Sequence, residues 1–224
     1  MTAAQQPASQ LLARLREVGT SGETLFVGLD GRSGAGKSTL AAAVRTSLAH
    51  DCGRGERVTV IDGDQFYAGG SAESWDARTP AMKASRVIDW HRQRAVLEQL
   101  RHAGIAEWYS FDWDADDWDG DIVPLAQQPV VATVAPLVIL EGAYSCRPEL
   151  HDVLDLRVLL DTPRDVRRQR LLEREGEAYR SDWEARWSAA EDYYFGSVMP
   201  PSRFDLVLGR SDESTRPPSD TTRR

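Results

Sequence analysis

The stretch Gly31-Arg32-Ser33-Gly34-Ala35-Gly36-Lys37-Ser38 satisfies the spacing G-x-x-x-x-G-K-[ST] at every position, between an apolar run and an Ala/Leu-rich helical pattern. Phosphate oxygens need many donors at short range, and glycines let main-chain N–H groups approach without Cβ clashes. On this reading Gly31, Ser33, Gly34, Ala35, Gly36, Lys37, Ser38 and Thr39 build a cradle for a nucleoside triphosphate. A following helix N-terminus adds its positive dipole end. Lys37 reaches the terminal phosphates, and the Ser38 hydroxyl ligates Mg²⁺.

A phosphate cradle implies a nucleotide and leaves the reaction open. Val60-Ile61-Asp62-Gly63-Asp64 ends an apolar run in two acids. In open parallel sheets ligands sit at the carboxyl ends of strands, so both acids lie near the terminal phosphate if their strand adjoins the first. Phosphoryl transfer needs a carboxylate to orient and deprotonate an acceptor hydroxyl, and others to hold the metal. Asp64 is the candidate base and a metal ligand, and Asp62 is a supporting group beside the acceptor. Glu141 closes the apolar run Leu137-Val138-Ile139-Leu140, the position of a Walker-B carboxylate, and completes a metal set of Ser38, Asp64 and Glu141. The bland alternative for each acid is a solvated turn.

Arg164, Arg167, Arg170 and Arg174 fall within about 120° of one helix face. Planar guanidinium groups there suit a lid closing over ATP, with Arg167, Arg170 and Arg174 as candidate nucleotide contacts. The alternative is a solvated face paired with Glu173, Glu175 and Glu177. Trp108, Trp113 and Trp118 interleave with Asp112, Asp114, Asp116 and Asp117. Such a stretch builds either an acceptor pocket, with Trp113 as its stacking wall, or the packed side of an insertion. Trp183 and Trp187, four residues apart, read as core.

The elements that must position these groups are legible in outline. Short apolar runs at Thr24 to Asp30, Val58 to Ile61, Leu137 to Leu140, Leu156 to Leu160 and Phe204 to Leu208 read as buried parallel strands. Helical patterns separate them at Ser38 to His50, Ile88 to His102, Arg164 to Glu175 and Trp183 to Tyr194. Alternation of this kind predicts an α/β fold, a parallel sheet with helices on both faces. With the phosphate loop and the arginine-rich helix it resembles a P-loop, nucleoside-monophosphate-kinase-like fold with an Arg-rich lid. The expected organisation is an amphipathic helix in residues 1–22 packed on a domain of residues 23–210. Within that domain an acceptor-binding insertion spans about 66–128 and the lid about 163–182, and residues 211–224 form a disordered tail. With 224 residues, 41% hydrophobic and 28% charged, the chain suits one globular domain. The net charge of -8 argues against a general nucleic-acid surface. The longest apolar run, Val130 to Leu140, contains Pro136 and is about half the ~20 residues of a membrane span. Two distant cysteines, Cys52 and Cys146, suggest free thiols. The expectation is a cytoplasmic protein without nucleic-acid or membrane partners, homo-oligomerisation being left open.

In order and type these segments resemble the uridine kinase branch of small P-loop kinases, the group of phosphoribulokinase and bacterial pantothenate kinase. The resemblance runs from about Thr24 to Leu208 and is carried by the phosphate loop, Asp64-Gln65-Phe66-Tyr67, Phe111-Asp112-Trp113, Glu141-Gly142 and the Arg-rich helix. It implies a Mg²⁺- and ATP-dependent kinase whose acceptor is the hydroxyl of a small, nucleoside-like molecule. By resemblance Asp64 is the catalytic aspartate, Tyr67 lines the acceptor site and Asp89 holds ribose hydroxyls. Phe111 stands where the family carries the Tyr of Tyr-Asp-Phe, and Tyr109 supplies a hydroxyl two residues earlier. A sugar, a pantothenate-like metabolite or an antibiotic hydroxyl is the alternative acceptor, and a nucleotide-binding switch is the alternative class. Asp62-Gly63-Asp64 also resembles the triplet of adenylylsulfate kinase.

Overall fold

A computed structural model describes residues 5–19, 22–50, 57–115, 123–176 and 184–209. Five strands, β1 (Leu25–Asp30), β2 (Val58–Asp62), β5 (Leu137–Glu141), β6 (Leu156–Leu160) and β7 (Leu206–Leu208), form one parallel sheet in the order β2-β5-β1-β6-β7. Successive strand residues point to opposite faces, and both faces are buried. Val27, Leu29, Leu137 and Ile139 pack with Leu11 and Leu15 of α1 (Gln5–Val18) and Leu40 and Val44 of α2 (Lys37–His50). Phe26, Val138 and Leu140 pack on the other face with Val96, Leu97 and Leu100 of α5 (Trp90–Ala103). The five strands and their parallel pairing agree with the sequence pattern.

The segment between β2 and β5 holds more structure than its periodicity suggested. Two short helices, α3 (Ala72–Asp76) and α4 (Pro80–Arg86), begin at Ser71 and Thr79, whose hydroxyls accept from the N–H groups of Ser74 and Met82. Strands β3 (Ile105–Trp108) and β4 (Val130–Thr133) pair antiparallel as a separate two-stranded sheet. The apolar run from Val130 to Leu140 is therefore two strands of different sheets, divided near Pro136, whose ring removes a ladder donor. Helix α5 starts two residues later than its pattern implied, because Asp89 accepts from the N–H groups of His91 and Arg92 and caps it. The chain ends its described part through α6 (Arg164–Glu175), α7 (Ala185–Tyr193) and a π-helical turn, Tyr194–Val198. Cys52, Asp116, Asp117, Trp118, Trp183 and the expected tail lie outside the described residues.

Candidate active site

Strand β1 delivers the phosphate loop, and its last residue ties the loop to the rest of the sheet. Asp30 is fully buried and accepts from the N–H groups of Gly31, Tyr144 and Cys146 and from the Tyr194 hydroxyl. Tyr144 is held at φ 68, a left-handed conformation costing a non-glycine residue ~1–3 kcal/mol, and its bond to Asp30 helps to fix it there. Burial pushes the Asp30 carboxyl up to about 6, against the opposing pull of these donors and of Lys37. The folded state thus holds this proton more tightly than the unfolded chain, where the value is 3.8. Stability from this group is complete below the unfolded value and is lost as pH rises through the folded one. We expect the stability of the wild type relative to Asp30→Asn to fall by ~2 kcal/mol between about pH 4 and about pH 7. Urea unfolding of both proteins at the two pH values tests this; a difference independent of pH contradicts it.

Beyond Asp30 the loop turns at Gly34, φ 76, where a Cβ would lie 2.6 Å from the Arg167 carbonyl oxygen. Only glycine lets α6 pack this closely on the loop. The Lys37 ammonium donates to the carbonyls of Gly31 and Arg32 at 2.9 and 3.3 Å, closing the loop on itself. Ser38 and Thr39 follow in the first turn of α2.

The acids arrive along a different route from the one the sequence suggested. Strand β2 does not adjoin β1; β5 lies between them. Asp62 is the register partner of Glu141, and Glu141 of Leu29, so both carboxylates still reach the same edge of the sheet. Asp62 accepts from the Asp64 N–H at 2.9 Å and caps the single 3₁₀ turn Gly63–Phe66, which carries Asp64. Burial and then the Asp64 charge raise the Asp62 carboxyl above its usual range. Burial likewise raises Glu141, opposed first by Ser38 and then by Lys37. A bound cation would reverse both shifts.

These groups share one cavity of about 770 Å³. Ser33, Gly34, Gly36, Lys37, Ser38 and Thr39 of the loop line it together with Asp62, Asp64 and Glu141. Tyr67 and Trp113 line its far wall, stacked on each other at 5.2 Å between ring centroids. Arg170 and Arg174 line it from α6. Among the described residues, no three acidic, His or Cys side chains converge as a metal cluster. A hydroxyl and separated carboxylates suit Mg²⁺, which is usually held by one or two protein oxygens plus phosphates and water.

Other expected site residues stand elsewhere. Ala35 is buried beneath the loop, where its carbonyl accepts from Thr162 and Arg170. Arg167 donates to the carbonyls of Thr162 and Ser33 and does not line the cavity. Phe111 is buried edge-on against Tyr67 at 4.9 Å, so it supports the wall and is not itself part of it. Tyr109 is 43% exposed, lies off the cavity, and offers its main-chain carbonyl to Arg92. The Asp89 carboxylate is engaged as a helix cap and also lies off the cavity.

Several wall residues had no signal in the motif pattern: Tyr144, Arg186, Trp187 and Glu191. Trp187, read from sequence as core, is buried in the core and also forms part of the wall. Arg186 forms a two-point pair with Asp76 at 2.8 and 3.0 Å.

Residues 1–88 match the family model of the methylmalonyl Co-A mutase-associated GTPase MeaB. The chain is 26% identical to a uridine kinase of Halobacterium salinarum over 151 residues, covering 66% of this chain and 61% of that protein. It is 26% identical to a uridine kinase of Clostridium perfringens, with 64% of each covered. The aligned part thus spans just over three fifths of these relatives. A Lactococcus lactis uridine kinase aligns at 25% identity over 86% of this chain and 91% of its own length. Among solved structures, a possible uridine kinase from Bacillus stearothermophilus superposes with a TM-score of 0.65 at 21% identity, covering 91% and 97% of the two chains. A candidate fructose transport system kinase from Silicibacter sp. TM1040 gives 0.61 at 21% identity, covering 92% and 98%. The fold is an α/β P-loop kinase fold, and the chain resembles the uridine kinase-like branch. No helix among the described residues is long and apolar enough to cross a membrane.

Proposed function

We propose that this chain is a Mg²⁺- and ATP-dependent kinase that transfers the γ-phosphate to a hydroxyl of a small, nucleoside-like molecule. The observation that carries this reading is the open cavity that Lys37, Ser38, Asp62, Asp64 and Glu141 line together. Asp64 takes the proton of the acceptor hydroxyl as its oxygen attacks the γ-phosphorus in line, the β–γ bridging bond breaks, and ADP leaves. Lys37 stabilises charge developing on the phosphoryl oxygens, with Arg170 and Arg174 contributing from the lid helix. Ser38, Asp64 and Glu141 are the groups that would hold Mg²⁺, which neutralises phosphate charge when bound. The aromatic wall of Tyr67 and Trp113 offers a stacking face to a flat acceptor body, which favours a nucleoside-like molecule over a bare sugar.

The match to a GTPase family model favours a second reading, a nucleotide-hydrolysing switch. One experiment separates the two. ADP and GDP release from MgATP and MgGTP is followed while nucleosides, vitamins, sugars and aminoglycosides are added. A kinase shows a rise of at least about tenfold with one acceptor class, matched by phosphate in the product. Slow hydrolysis indifferent to every alcohol instead supports the switch.

A further inference from the structure

We propose that Glu191 is a positioning residue that sets the phosphate loop from α7. This inference rests on the reading of the loop as a nucleotide cradle. Glu191 is buried in α7 at 6% exposure, and a buried carboxylate is costly unless it is hydrogen-bonded. One of its oxygens accepts both the Ser33 main-chain N–H at 2.8 Å and the Ser33 hydroxyl at 2.6 Å. The other lies 4.0 Å from the Arg167 guanidinium. Arg167 in turn donates to the Ser33 carbonyl at 3.3 Å. All three polar groups of Ser33 are therefore held, the two donors by α7 and the acceptor by α6.

The neighbouring pair acts in the same sense. Asp192 accepts from Arg32 at 2.6 Å, and the Arg32 guanidinium lies over the Phe195 ring at 5.2 Å. The two side-chain-bearing residues at the start of the loop, Arg32 and Ser33, are thus each anchored by consecutive acids of one helix. Farther along, Arg170 takes the Gly34 and Ala35 carbonyls. With these carbonyls engaged from the lid side, the amides at the start of α2 are available to phosphate oxygens. Because side chains of α6 and α7 both hold Ser33, the position of these two helices and the shape of the cradle are one structural variable.

The test is MgATP and MgADP affinity by titration calorimetry on the full chain, with no acceptor present, in parallel with thermal unfolding. Glu191→Ala should weaken MgATP binding by about tenfold, the effect of losing hydrogen bonds to a charged group. Glu191→Gln keeps an acceptor oxygen for Ser33 and should bind within about threefold of wild type. A merely structural role would lower the melting temperature without this rescue of affinity. Ser33→Ala deletes only the hydroxyl contact, should weaken binding by about threefold, and carries the test if Glu191→Ala does not fold. A folded Glu191→Ala, or failing that Ser33→Ala, that binds MgATP as tightly as wild type overturns the proposal alone. Wild-type protein that binds neither nucleotide overturns the cradle reading along with it.

Discussion

Replacing Lys37 with Ala will reduce acceptor-dependent phosphate transfer by on the order of 10³ or more and weaken MgATP binding. The ammonium is the one cation on the loop itself within the cavity wall, and it is nearly buried at 9% exposure. In that setting a charge aimed at developing phosphoryl charge is screened less than at a surface. The same ammonium also closes the loop through the Gly31 and Arg32 carbonyls. Loss of turnover will therefore come with loss of affinity, and kcat should fall by more than KM rises. Steady-state kinetics with a coupled ADP assay, together with calorimetric MgATP binding, measures both. A Lys37→Ala protein that turns over at the wild-type rate removes the phosphate-loop argument entirely.

The phosphate loop was legible because its chemistry is local: eight consecutive residues, an apolar strand before and a helix after. The carboxylates were legible only in part. Asp62 and Glu141 end apolar runs, which marks them, but which strands adjoin is a long-range matter. Here β5 is interposed between β1 and β2, and its register with both brings Asp62 to the edge that direct pairing would have reached. The same limit applies to α6, where helical spacing shows that Arg167 and Arg170 share a face but not whether they meet nucleotide or loop carbonyls. At Asp89 the resemblance implied a ligand-binding role, whereas the structure engages the side chain as a helix cap, a choice that depends on where the helix begins. Strands β3 and β4, four residues each, are too short for period-2 alternation to stand out. Phe111, which the resemblance placed in the acceptor site, is instead a buried support of its wall, a placement that depends on long-range packing. Glu191 did leave a trace: Trp187, Glu191 and Tyr194 are spaced i, i+4, i+7, so a carboxylate lies on the apolar stripe of its helix. A charge on a buried stripe is a question that only the partner, Ser33, answers.

The sharpest test of the proposed chemistry is Asp64→Asn, which should leave MgATP affinity within about threefold of wild type and cut transfer by on the order of 10² or more. Asp64 stands on a 3₁₀ turn that Asp62 caps, and it faces the same cavity as Lys37. The isosteric amide keeps the size of the side chain but cannot accept a proton from the acceptor hydroxyl. Asp62→Asn is the informative partner, because an Asn oxygen can still accept from the Asp64 N–H and preserve the cap. Any loss in that variant reports the charge at Asp62 and not the shape of the turn. If Asp64 is the base, Asp62→Asn loses less activity than Asp64→Asn, and the two measured together show a strong dependence on which carboxylate remains. Wild-type transfer by Asp64→Asn, with transfer lost in Asp62→Asn, would move the base by two residues while leaving the phosphate-loop argument intact.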